Sequence, residues 1–316
     1  MFIIKHSDIC NLNIDPQTCI KWVTESFRIK PEAQLPPKSS LHPQGTDFFN
    51  TMPCMLPPRY GRFAVKEVHR IAGQVPSLGS DLLLYDSCTG ELLAMMDADW
   101  ITTMRTGAVA ALATCLLEKS NVQNYSFLGL GNTARAVALC VIADHPDTKL
   151  YFRILHYKDQ AEKFIERFQQ YPKVTFDIVD STEDLVADAD VLFSCITDAQ
   201  ELICADEDKF KKGVLVIPVH TKGFQNCDLF FDKVFGDDTG HIEHFRYFNQ
   251  FKEFHELTDV LLGKAEGRTS DSQRILAYNI GLGLHDAIFA SKLYDLLDKS
   301  GCQQIELEKE TRKFWI

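Results

Sequence analysis

Gly129, Gly131 and Ala134 stand at G-x-G-x-x-A spacing, between an apolar run that begins at Tyr125 and a pattern that puts Ala134, Ala138, Leu139 and Ile142 on one helical side. Dinucleotide chemistry asks for small residues there. One glycine makes the tight turn, the next lets backbone approach a diphosphate, and Ala134 lets the helix lie close on its strand. The diphosphate then meets unpaired N–H groups of the helix N-terminus, around Asn132 and Thr133, where the dipole favours negative charge.

Two cations precede this turn. Arg105 lies early in an apolar helical pattern over residues 101–118, beside Gly107 and Ala108. Its planar fork suits a carboxylate or a phosphate; a surface ion pair or a cap on a neighbouring element is the plainer alternative. Lys66 belongs to RFAVKEVHR, where Ala64, Lys66, Val68 and Arg70 alternate onto one strand face. A lysine there can bind a carboxylate, exchange protons if burial lowers its pKa, or snorkel from a strand edge.

Periodicity shows which elements must position them. After Gly131, apolar runs recur at residues 150–157, 174–179, 191–196, 214–219 and 229–235, with helical patterns at 160–169 and 181–187. Continuous apolar runs mark parallel strands buried on both faces. An α/β fold follows, with a Rossmann-type doubly wound sheet expected as a dinucleotide-binding domain over residues 121–282. Residues 34–58 hold six of the twelve prolines, which favours strands and turns over helix, and residues 81–96 read as a hairpin turning at 87–90. An antiparallel sheet with a returning helix at 281–297 would make residues 1–120 and 283–316 an α+β domain for substrate binding and dimerisation.

A net charge of −11 argues against nucleic acid or an anionic membrane surface as partner. The first ten residues hold only a three-residue apolar patch, so neither a secretory signal nor a membrane span is expected. Ten cysteines scattered singly read as reduced thiols of a cytoplasmic protein. His241, His244 and His255 match no metal-site spacing and are expected on a solvated segment, and no metal is anticipated.

The order of a lysine-bearing strand (AVKEVHR), a hairpin with a Thr89-Gly90 turn, the segment Arg105-Thr106-Gly107-Ala108 and the turn from Gly129 to Ala134 resembles the ornithine cyclodeaminase and mu-crystallin family over most of the chain. The resemblance implies a homodimer of two-domain subunits and NAD(P) chemistry at the α-carbon of an amino acid or its imine. It also implies that Arg105 contacts the substrate carboxylate close to the cofactor, and that Lys66 binds substrate. Lys38 falls where many members carry an arginine, and a point charge fixes geometry less than a fork does. Ser80, Thr106, Thr197, Val219 and Asn279 join Arg105 and residues 129–134 as expected cofactor contacts.

Cofactor choice should be decided at the end of the second strand. Tyr157 stands where an acid would bond the ribose 2′-OH of NAD, and Lys158 suits the 2′-phosphate of NADP, with Asp159 close by; NADP is favoured over NAD. The loop PVHTKG lacks the catalytic aspartate that the family presents there. His220 either carries protons or is a structural histidine, and Asp237 and Asp238 are further carboxylate candidates. The expected function is an NAD(P)-dependent oxidoreductase of a C–N bond, a ketimine reductase or amino-acid dehydrogenase. Lys66, His220 and Asp237 would be catalytic, and Lys38, Lys66 and Arg105 would hold the substrate. Ornithine cyclodeaminase, yielding proline and ammonia, is the alternative, and a non-catalytic nucleotide-binding protein the second. Lys66→Ala is expected to lower turnover by about 10² to 10⁴ with little change in melting temperature.

Overall fold

The computed structural model describes residues 1–197 and 199–316. It opens with β1 (Phe2–Ile4) and reaches a helix, Pro16–Ile29, that the sequence reading missed. The signals were there: Asp15 accepts the Thr18 N–H as N-cap, Pro16 takes the first helical position, and Cys19, Ile20, Val23 and Phe27 are buried together. The proline-rich stretch gives β2 (Ser39–Leu41) and β3 (Phe48–Met55), followed by β4 (Arg62–Arg70), β5 (Leu78–Asp86) and β6 (Leu92–Asp97) in antiparallel succession. The sheet is mixed rather than purely antiparallel. β1 runs parallel to β6, a pairing that needs a long crossover and gets one from the intervening helices and strands.

Beyond the helix Asp99–Leu117 lies an eight-stranded sheet of β7 (Asn124–Leu128), β8 (Leu150–Leu155), β9 (Val174–Val179), β10 (Val191–Ser194), β11 (Leu215–Pro218), β12 (Lys233–Gly236), β13 (Phe254–Glu256) and β14 (Ile275–Tyr278). Its order is β13-β12-β14-β11-β10-β7-β8-β9, and every pair is parallel. This is the expected Rossmann-type sheet with two more strands, β13 and β14. The run at 229–235 divides: Cys227–Phe230 is helical, its Phe230 and the following Phe231 packing on Phe210, and the strand starts at Lys233. All eight carboxyl ends open at one edge. Strand order reverses between β7 and β10, where such sheets form their ligand crevice.

β15 (Gln303–Gln304) pairs with β1, completing a first sheet of order β15-β1-β6-β5-β4-β3-β2, and the helix Gly283–Leu296 lies on β3 and β4. The helix Asp99–Leu117 touches both sheets, through β5 and β11. Against expectation it is long and apolar enough to cross a membrane, but that apolarity serves the core, where it is largely buried. A Cβ at Gly107 would stand 2.4 Å from the carbonyl carbon of Ala136, so this helix can lie on the helix Asn132–Asp144 only because the side chain is missing.

Candidate active site

The glycine turn is built by backbone. Gly129 has φ +80°, and a Cβ there would stand 2.9 Å from the Cys195 backbone, whose N–H donates to Leu128 O at 2.7 Å. Gly131 caps the helix Asn132–Asp144 without a side-chain bond, and a Cβ on it would meet nothing within 4 Å. The first-turn N–H groups beside exposed Asn132 and half-buried Thr133, with Ala134 packed beneath, therefore face open space, an arrangement that fits a diphosphate.

Other residues expected near a cofactor line the same edge. Thr197 follows β10, Val219 and His220 follow β11, and Asn279 follows β14, its amide donating to Thr106 O at 3.2 Å while Oδ1 is buried without a partner. His220 Nε2 lies 2.6 Å from Ser194 Oγ. Tyr157 and Lys158 stand exposed beyond β8, the ammonium 5.0 Å from the ring centre, and Asp159 pairs with Lys163 at 2.6 Å. Ser80 is used within the fold: its hydroxyl bonds Asp99 at 3.1 Å and Thr102 at 2.9 Å, tying β5 to the helix that carries Arg105. The Thr106 hydroxyl likewise donates to Thr102 O at 2.7 Å.

Five charged groups converge around Arg105 of the helix Asp99–Leu117. Lys66 is wholly buried on β4, and its ammonium donates to Asp286 Oδ1 at 2.8 Å, with Arg105 Nε 3.3 Å from the same oxygen. Burial pushes Lys66 down to about 7, helped by Arg105 and opposed by Asp286. Lys38 Nζ donates to Ile280 O at 3.3 Å, and burial and Arg105 bring it down to about 8 against the pull of Asp237. Asp237, buried at the end of β12, accepts the Gly281 N–H at 2.8 Å on Oδ2, while Oδ1 has no partner. Burial raises its carboxyl to about 6, despite the Gly281 N–H and Arg105. Gly281, at φ +85°, admits the guanidinium: a Cβ would lie 2.3 Å from Arg105 Nη1.

Three expectations change. Asp286 was not foreseen, although a carboxylate inside a helix buried nearly all round was a signal for it. Lys66 cannot be removed without cost to folding, because Asp286 would keep a buried charge with less compensation, a loss on the order of 3 kcal/mol. His241 is buried, not solvated; it bonds Asp238 at 2.8 Å, whereas His244 is exposed. Asp238 lies 2.7 Å from Lys30 and, despite burial, is held down at about 2 by His241 and Lys30, so it belongs to an internal network.

A family model for the ornithine cyclodeaminase/mu-crystallin family matches residues 3–301. The chain is 27% identical over 277 residues to the nodulation efficiency protein NfeD of Rhizobium meliloti, covering 84% of this chain and 85% of that one. It is 26% identical over 240 residues to a Delta(1)-pyrroline-2-carboxylate reductase of Bacillus thuringiensis subsp. konkukian, covering 70% and 71%. Its fold matches the Thermococcus litoralis Delta(1)-pyrroline-2-carboxylate reductase solved with NADH and L-proline, with a TM-score of 0.81 at 23% identity over 93% of this chain and 97% of that one.

Proposed function

The chain belongs to the ornithine cyclodeaminase/mu-crystallin family, and from that membership we propose that it is an NAD(P)-dependent oxidoreductase that reduces the C=N bond of a small cyclic 2-imino acid or oxidises the corresponding amino acid. The observation that carries this function is the cluster of Lys38, Lys66, Arg105, Asp237 and Asp286, in which Asp237 follows β12 at the same carboxyl edge of the sheet as the glycine turn. Arg105 and Lys66 orient the substrate carboxylate, held in place by Asp286, and Lys38 adds a third cation. A reduced nicotinamide held at the glycine turn would supply hydride to the α-carbon. The imine nitrogen must gain a proton, and Asp237 or Lys66, each displaced toward neutrality, can hold it there. His220, bonded to Ser194, is a candidate proton carrier at the cofactor edge. Lys158, with no acid at Tyr157, supports NADP over NAD.

Residues 1–120 and 283–316 would act as the substrate and dimerisation domain and residues 121–282 as the dinucleotide domain. The outer face of the first sheet, with Phe49 and Met95 exposed, supports a homodimer. Ten free cysteines and no disulfide among them fit a cytoplasmic protein.

Ornithine cyclodeamination is the second reading, and Asp237 favours it: its unpartnered Oδ1 could hold a distal ammonium that the loop PVHTKG cannot. One experiment separates the two. Purified protein is given NADPH or NADH with Δ1-pyrroline-2-carboxylate and, separately, ornithine with NAD+. Cofactor-consuming reduction of the imine supports the oxidoreductase; proline and ammonia from ornithine without net cofactor change overturn it in favour of the cyclodeaminase.

A further inference from the structure

We propose that His241 is a positioning residue for Lys38, holding the backbone from which that cation reaches the substrate; this rests on the substrate role given to Lys38 above. Lys38 follows Pro36 and Pro37 and leads into β2, an edge strand exposed along its length with only β3 beside it. An edge strand is a weak support for a flexible ammonium that must be aimed. The Lys38 N–H instead donates to His241 Nε2 at 3.3 Å.

That bond fixes the imidazole. A backbone N–H can only donate, so Nε2 presents its lone pair and the ring proton sits on Nδ1, which donates to Asp238 Oδ2 at 2.8 Å. Asp238 Oδ1 lies 2.7 Å from Lys30 Nζ, which also lies 2.5 Å from Glu256 Oε2. Glu256 Oε1 accepts from Thr239 N at 2.7 Å and Thr239 Oγ1 at 2.8 Å. The ring is thus braced by the end of the helix Pro16–Ile29, the end of β12 and the end of β13. Pro37 packs nearby, its Cγ within 3.7 Å of where a Cβ on Gly240 would stand. Asp237, beside Asp238 in sequence, faces Arg105 and Lys38, so the brace stands directly behind the charged cluster.

Two measurements test the tether. In unliganded protein, amide hydrogen exchange of a peptide covering residues 33–41 should be faster in His241→Ala than in wild type and should be restored in His241→Gln, whose Oε1 can take the place of Nε2. Unchanged exchange in His241→Ala overturns the tether. In steady-state imine reduction, His241→Ala should raise KM by about tenfold with kcat within about twofold, and should add nothing when Lys38 is already alanine. If His241→Ala multiplies KM equally in both backgrounds, it does not act through Lys38 and the proposal falls. Faster exchange with KM unmoved by Lys38→Ala would keep the tether and remove the substrate role of Lys38, so the two failures are distinct.

Discussion

The glycine turn and the charged cluster are built by opposite means. The turn takes its function from backbone within a few consecutive residues, Gly129 to Ala134, where missing side chains leave N–H groups open. The cluster takes its function from side chains at 38, 66, 105, 237 and 286, delivered by five separate segments, all of them buried but half-buried Lys38. Such a backbone site tolerates change where a side chain would meet nothing, as at Gly131, though not at Gly129, whose Cβ would meet the Cys195 backbone. Where two charges are paired in the core, as Lys66 and Asp286 are, removing one touches binding and folding together.

Substitutions can break or sharpen that contrast. The largest effect is expected for Lys66→Ala: turnover of the imine should fall by about 10² to 10⁴, and the melting temperature should fall with it because Asp286 loses its partner. A melt indistinguishable from wild type would show that the cluster is as separable as the turn. Gly281→Ala comes next. Its methyl would collide with the Arg105 guanidinium at a φ that disfavours alanine, so KM should rise by roughly 10- to 100-fold with a melting loss of a few degrees. On the other side, Gly131→Ala should weaken dinucleotide binding by about tenfold in calorimetry while leaving the melt unchanged, since its Cβ meets nothing in the protein.

The smallest effect comes from a buried carboxylate outside both regions. Burial raises Asp228 to about 7 against the hydrogen bond from Tyr278, so its folded pKa exceeds its unfolded value. Its contribution to stability is complete below about pH 4 and is lost as pH rises through about 7. Asp228→Asn should therefore melt with less decline between pH 5 and pH 8 than wild type, and an identical decline would reject the shift.

The same contrast explains what could be read from the residues. The turn, the strands before and after it, the hairpin and the final helix are local patterns, and the sequence carries them openly. Lys66 and Arg105 drew notice because they interrupt apolar periodicity. Asp286 interrupts it equally, but nothing local says that the final helix delivers it onto β4, 220 residues away in the chain. His241 failed for the complementary reason: its spacing argued only against metal, and its burial depends on Asp238, Lys30 and the Lys38 backbone, which meet only in three dimensions.

The seat of Gly107 on Ala136 has a consequence for how such a protein can change over generations. Arg105 and Gly107 ride two residues apart on one rigid rod. One residue inserted between them would rotate one against the other by roughly 100° and carry Arg105 away from its place beside Asp286 while Gly107 keeps its seat on Ala136. Loops such as the one after β11 can lengthen, shorten and exchange residues without disturbing that alignment. New substrates are therefore open to descendants through loop editing, while the rod's length and phase should tolerate no drift.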